Sequence, residues 1–234
     1  MSTASFPQCW KSETKPSKFC PGCGHLMVLR ALGNVIDELQ IQNQTIFGVD
    51  IGCSLLAWDF FDIDTIQTHH GRTIPVMVGI KIAQPQKLTI AYLGDGGGYA
   101  IGVQHLVNSA LRNDPITVIL VNNANYAMTG GQQAPTTLPK QMTETTPYGK
   151  KGQSLKGPEM VKAINHEAFV ARGIAIKLKE TQDLIKKALL HQKENKGFSF
   201  LEILSPCPTN WKLPPTEIGK FLETMQQYFP LGEL

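Results

Sequence analysis

The chain has 234 residues, 42% of them hydrophobic and 18% charged, enough apolar material for one substantial core. A formal net charge of +3, with lysines scattered over 81–87, 150–156 and 186–196, leaves no concentrated basic face and argues against nucleic acid as a partner. No stretch approaches the roughly 18 apolar residues of a membrane span, and residues 1–19 lack the apolar centre of a signal peptide, so no membrane is expected and cytoplasm is the expected compartment.

Residues 1–19 predict an N-terminal arm that orders against another surface, with Cys9 in it as a spare thiol. Cys20-Pro-Gly-Cys23-Gly-His25 then stands directly before an amphipathic helix carrying Leu26, Leu29, Leu32, Val35, Ile36 and Leu39 on one face. Thr45–Val49 reads as a buried strand ending in Asp50-Ile51-Gly52-Cys53-Ser54, where an apolar loop with Trp58, Phe60 and Phe61 begins. His69-His70-Gly71-Arg72 opens a helix from Pro75 to Ala83, and the strand Leu88–Leu93 delivers Gly94-Asp95-Gly96-Gly97-Gly98. A helix over Ile101–Leu111 and the continuous apolar strand Ile116–Val121 lead to Asn122-Asn123. Residues 122–156 form a long polar connection of the functional or disordered kind, with Lys150 and Lys151 read as a solvated face. A helix over Pro158–Val170, a strand over Gly173–Leu178, a helix over Thr181–Glu194 and a strand over Phe198–Leu204 follow, before Ser205-Pro-Cys207-Pro208. The expected division is an arm (1–19), a domain (20–208) and a tail (209–234) with a helix over Glu217–Tyr228.

Strands alternating with helices, their apolar runs seldom alternating in polarity, predict an α/β fold: a mostly parallel sheet with helices on both faces. Ligands in such folds sit beyond the carboxyl ends of the strands. Cys53, Asp95, Asn123 and Cys207 each follow a predicted strand and should share that edge.

An Asp delivered into a glycine turn before a helix, answered by paired Asn after the next strand, suits a metal-bound diphosphate. Glycine lets backbone approach the phosphate, and the helix aims free N–H groups at it. The Asp95 carboxylate, an Asn123 side-chain oxygen and a backbone carbonyl beyond it make an all-oxygen set fit for Mg2+. Cys20, Cys23, Cys53 and Cys207 supply four thiolates, suited by spacing to either tetrahedral zinc or an iron–sulfur cluster. His25 and His70 read equally as core histidines. His70 gains weight from Gly71 and Arg72, which add a donor and a cation where a diphosphate or carboxylate is met.

Taken together, Cys20-Pro-Gly-Cys-Gly-His25, Gly52-Cys-Ser54, His70-Gly-Arg72, Gly94-Asp-Gly96, Asn122-Asn123, Tyr126, Met128-Thr-Gly-Gly-Gln132, Ala134-Pro-Thr-Thr137 and Ser205-Pro-Cys-Pro208 resemble the thiamine diphosphate-binding (beta-type) subunit of the 2-oxoacid:ferredoxin oxidoreductases. The resemblance runs in order from about residue 19 to residue 210. It implies a 4Fe-4S cluster on Cys20, Cys23, Cys53 and Cys207, and Mg2+ on Asp95, Asn123 and the Asn125 carbonyl. Candidate cofactor contacts are Gly52, Ser54, Gly94, Gly96, Gly97, Asn125, Tyr126, Met128 and Thr129, with His70 and Arg72 as candidate catalytic residues. The family oxidises a 2-oxoacid with coenzyme A to acyl-CoA and CO2, thiamine diphosphate acting as electron sink and ferredoxin as acceptor.

Implied partners are an alpha-type subunit bringing the acid for the cofactor's pyrimidine ring, and gamma and ferredoxin-like subunits. Family members acting on pyruvate or 2-oxoglutarate often carry Lys where this chain has Leu56, so a 2-oxoisovalerate-type substrate is expected, with 2-oxoglutarate or pyruvate as alternatives. Pro135–Pro139 and Thr146–Gly149 also resemble the branched-chain members. The chain departs from the family at Gly97, where an Asp is usual, and at Asn125 and Ala127, where an apolar residue and Gly are usual. Two other readings stand beside this one: a non-redox thiamine diphosphate decarboxylase subunit, which needs no four-cysteine set, and a non-catalytic zinc-knuckle module.

Overall fold

A computed structural model describes residues 6–11 and 17–234. Helix α1 spans Gly24–Leu39, followed by strand β1 (Thr45–Val49), a 3-10 turn (Cys53–Ala57), β2 (Asp64–Gln67), α2 (Thr73–Ala83) and β3 (Leu88–Gly94). A π turn (Gly97–Ile101) runs into α3 (Val103–Arg112) and β4 (Thr117–Asn122). The polar connection holds a small hairpin, β5 (Asn125–Tyr126) and β6 (Gln132–Gln133), before α4 (Gly157–Ile164) and β7 (Phe169–Ile174). Helix α5 (Leu178–Lys193), β8 (Ser199–Leu204), α6 (Ile218–Tyr228) and β9 (Gly232–Glu233) complete the chain.

The main sheet has the order β2-β1-β3-β4-β8-β7-β9, parallel except for β9 on β7. Helices α1 and α5 pack together over one face, and α2, α3 and α4 over the other. The buried runs Thr45–Val49 and Thr117–Asn122 need this double cover, because every side chain in them is removed from water. After β1 the chain moves outward to β2, whereas β3 lies on β1's other side, so the strand order reverses between β1 and β3. A crevice forms there at the carboxyl ends of the strands.

Several expectations change. Strand β2 was not anticipated from the sequence, since Asp64–Gln67 is an edge segment with little buried surface. The helix expected over Pro158–Val170 ends at Ile164, where the Asn165 side chain accepts from the Glu167 and Ala168 N–H groups and turns the chain. Residues 169–174 are then a strand, and Gly173, read as a strand start, lies inside it. A Cβ there would stand 3.0 Å from Ile203 and 3.1 Å from Leu184, so α5 packs close and begins earlier, at Leu178.

Phe6–Lys11 of the arm packs onto α1, and Trp10 forms a bridge with Phe61; the remainder of the predicted arm, 1–5 and 12–16, falls outside the described residues. Cys9 is fully buried, its thiol facing the Gly33 carbonyl. In the tail, Leu222, Met225 and Phe229 are buried against Ile174 and Leu204. Lys150 is buried too, contrary to its reading as a solvated lysine: its ammonium donates to the Pro135 carbonyl at 2.8 Å, which ties the polar connection together.

Candidate functional site

The crevice is lined by Asp50 to Cys53 after β1, by His70, by Gly94 to Gly97 and Ile101 after β3, by Asn123 and Asn125 to Thr129 after β4, and by His25 from α1. The parallel sheet aligns the ends of β1, β3 and β4, which is why residues distant in sequence meet here. Gly94-Asp95-Gly96-Gly97-Gly98 differs from the expected glycine turn, because helical backbone begins at Asp95 and passes through the π turn. Gly96 itself is right-handed, at φ −63°. Close approach, not left-handed backbone, is therefore what requires glycine: a Cβ on Gly96 would fall 2.2 Å from the Tyr126 ring, and one on Gly97 1.8 Å from Asp50 Oδ2.

Asp95 is almost fully buried. Oδ1 accepts from the Gly96 N–H at 2.9 Å, and Oδ2 accepts from Thr136. Burial nevertheless pushes its carboxyl up to about 7, so a cation beside it would restore the ionised form. Asn123 Oδ1 accepts from the Asn125 N–H at 3.3 Å, and the Asn123 carbonyl accepts from Trp211 Nε1 at 2.9 Å. Between them Ala124 is left-handed at φ 62°, a strained state for alanine, held by Thr137, whose hydroxyl donates to the Ala124 carbonyl at 2.6 Å. Asn125 is buried with Oδ1 unpartnered, and its side chain hydrogen-bonds Cys207. A buried carboxylate, an amide oxygen without a donor and two glycines packed too closely against Tyr126 and Asp50 to admit a Cβ fit a cation-bound diphosphate approached by backbone.

The four cysteines gather at this same edge as free thiols. Burial, with Cys53, Cys207 and Cys20 nearby, pushes Cys23 up to about 12; burial, with Cys207, Cys20 and Asp95, does the same to Cys53. Among the described residues no three His, Cys, Asp or Glu converge closely enough to hold a single metal ion. Cys9 stands apart from this set.

His25 is buried and its Nδ1 lies 2.7 Å from the Tyr92 hydroxyl, with Phe19 stacked on the ring; burial pushes it down to about 4, so it is neutral. His70 is exposed on the crevice wall. Arg72 turns from the crevice toward the carbonyls of His70 and Ile101, each at 3.4 Å, and Ser54 is buried, donating to the Asp50 and Ile51 carbonyls. Gly52, Gly94, Gly96, Gly97, Asn125, Tyr126, Met128 and Thr129 all line the crevice. Leu55 and Leu56 pack against the core under α1 and are not among its lining, which removes the basis for reading Leu56 as a substrate wall.

Sequence reasoning named Asp50 and Thr136 within motifs without giving either a role, and missed Asn210 and Trp211. Asn210 donates to the Ala127 carbonyl at 2.7 Å, so the tail braces the Asn123 loop. The one signal for Asp50 was an acidic residue closing an otherwise apolar strand.

Residues 50–203 match the family described as thiamine pyrophosphate enzyme, C-terminal TPP binding domain. Ketoisovalerate oxidoreductase subunit VorA of Methanothermobacter thermautotrophicus is 36% identical over 228 residues, covering 94% of this chain and 48% of that protein; the chain thus spans about half of this relative's length. 2-Oxoglutarate synthase subunit KorB of Methanocaldococcus jannaschii is 36% identical over 219 residues, covering 91% of this chain and 79% of that protein. Among solved structures, 2-oxoglutarate:ferredoxin oxidoreductase from Magnetococcus marinus, with 2-oxoglutarate, coenzyme A and succinyl-CoA bound, superposes with a TM-score of 0.83 at 30% identity, over 99% of this chain and 85% of that one.

Proposed function

Because the chain belongs to the thiamine diphosphate-binding subunits of the 2-oxoacid:ferredoxin oxidoreductases, we propose that it binds that cofactor with Mg2+ and takes part in the CoA-dependent oxidative decarboxylation of a 2-oxoacid. The observation that carries this reading is the buried Asp95 beside the Gly96–Gly97 cradle, across the crevice from Asn123 and the unpartnered Asn125 oxygen. Asp95, the Asn123 side chain and the Asn125 carbonyl would hold the cation. The free N–H groups at the start of the π turn would meet the diphosphate.

Bound here, thiamine diphosphate would supply the electron sink that a 2-oxoacid needs to lose CO2. The chain's own residues orient and exclude water: Ile51, Ile101 and Met128 present apolar surface, and His70 offers a donor to the substrate carboxylate. Cys20, Cys23, Cys53 and Cys207 would hold a four-iron cluster at the same edge, a reading supported by the mutual proximity of the four thiols. Such a cluster would supply a one-electron carrier for ferredoxin, and alpha-, gamma- and ferredoxin-type subunits would complete the assembly.

Among the described residues the crevice lining contains no Lys or Arg, so a second carboxylate on the substrate would lose hydration without a cationic partner from them. An aliphatic 2-oxoacid of the 2-oxoisovalerate kind therefore fits better than 2-oxoglutarate. The test is anaerobic assay of the reconstituted complex for viologen reduction dependent on CoA and 2-oxoacid, with 2-oxoisovalerate, 2-oxoglutarate and pyruvate compared. The expected order puts kcat/KM for 2-oxoisovalerate highest. The highest value with 2-oxoglutarate overturns the substrate assignment, and no reduction with any of the three overturns the activity.

A further inference from the structure

We propose that Asp50 is a positioning residue of the crevice, anchoring the Gly71 turn that carries His70 from a space which a side chain at position 97 would otherwise fill. Asp50 is fully buried at the end of β1, where its N–H donates to the Tyr92 carbonyl at 3.1 Å. Its Oδ1 accepts from the Gly71 N–H at 2.8 Å, whereas Oδ2 is buried without a partner. Gly71 is left-handed at φ +64°, and a Cβ on it would lie 2.6 Å from the Gly102 nitrogen, so the turn is wedged against the end of the π turn. One carboxylate thus ties together the end of β1, the His70 turn and the π turn, all three of which contribute to the crevice wall.

The second observation is spatial exclusion. An ideal Cβ on Gly97 would stand 1.8 Å from Asp50 Oδ2, far inside van der Waals contact, so positions 50 and 97 address the same volume and only one of them can place a carboxylate there. Gly97, where the resemblance expects an Asp, therefore leaves open the volume that Asp50 Oδ2 occupies beside the Gly71 turn. Burying a carboxylate oxygen with no donor is costly, and a site that keeps one is using its partner oxygen or its position.

The functional part of this inference rests on the cofactor reading above, so its test has two arms on the full chain. Thiamine diphosphate affinity in Mg2+ is measured by titration calorimetry, and protection of the Gly71 amide by hydrogen exchange without cofactor. Asp50→Ala is expected to weaken cofactor binding by about tenfold or more and to expose the Gly71 amide. Asp50→Asn, which keeps shape and one acceptor, is expected to retain that protection. Gly97→Asp alone is expected to weaken binding, and the double variant Asp50→Gly/Gly97→Asp to recover affinity to within about threefold of wild type. A double variant no better than Gly97→Asp, or an Asp50→Ala protein with wild-type affinity and protection, overturns the proposal. Wild-type chain that ignores thiamine diphosphate overturns the functional reading instead, and the exchange arm then decides the anchor by itself.

Discussion

Asp95 and Asp50 are both buried carboxylates, yet their surroundings give them different work. Asp95 accepts from Gly96 and Thr136 and still sits high, at about 7, because burial outweighs those bonds. Asp95→Asn keeps the shape and its acceptor oxygen but removes the negative charge that a cation needs. Thiamine diphosphate affinity in Mg2+ should fall by more than about 100-fold, since even residues behind a metal ligand are worth 10–100-fold; titration calorimetry checks it. Asp50 is also raised by burial, against lowering contributions from the Gly71 and Ile51 N–H groups, His70 and Thr73. A carboxyl raised in the folded state contributes stability below its unfolded pKa of about 4 and loses that contribution as pH climbs through the folded value. The Tm difference between wild type and Asp50→Asn should therefore move against wild type as pH rises from about 4 toward neutrality. A difference independent of pH would mean that Asp50 titrates as if in water.

The central elements were legible because their signals are local. Continuous apolar runs gave β1, β4 and β8 nearly to the residue, and the three- and four-residue recurrence from Leu26 to Leu39 gave α1. What failed depends on partners distant in sequence. Arg172 breaks the apolar pattern of β7, and it fits there only because Nε donates to Glu202 at 2.5 Å and the terminal nitrogens to Glu159 at 2.6 and 2.9 Å. The same Glu202 accepts from Tyr99 in the π turn, so this buried network joins the sheet to the cofactor turn. Candidate cofactor glycines were readable as a motif and Thr136 lay within one, but its bond to Asp95, like the partners of Trp211 and Asp50, was not, since those partners are distant in sequence. Arg172→Met should destabilise by about 3–5 kcal/mol, because Glu202 is left buried without its cation; chemical denaturation measures it. Gly96→Ala tests the cradle separately. Its Cβ must displace the Tyr126 ring, for about 1–3 kcal/mol of stability, with loss of thiamine diphosphate binding in a chain that remains folded by circular dichroism.

At the scale of the molecule, the crevice holds acids on one side of its chemistry only. Among the described residues its lining contains two carboxylates, Asp50 and Asp95, and no Glu. Asp95 accepts from Gly96 and Thr136, and Asp50 accepts from Gly71, so both carboxylates are already engaged within the chain. The resemblance assigns the acid that would meet the cofactor's pyrimidine ring to a partner subunit. The rim agrees with such a cover: Ile101 and Met128 are 52% and 47% exposed at the crevice, apolar surface that water solvates poorly. The chain by itself should bind thiamine diphosphate and Mg2+ yet reduce no viologen with any 2-oxoacid, and turnover should appear on addition of the alpha-type subunit. Reconstitution with each subunit singly, under argon, measures this directly. Turnover by the chain without a partner would mean that one of its own carboxylates reaches the pyrimidine ring, which the hydrogen bonds of Asp50 and Asp95 argue against.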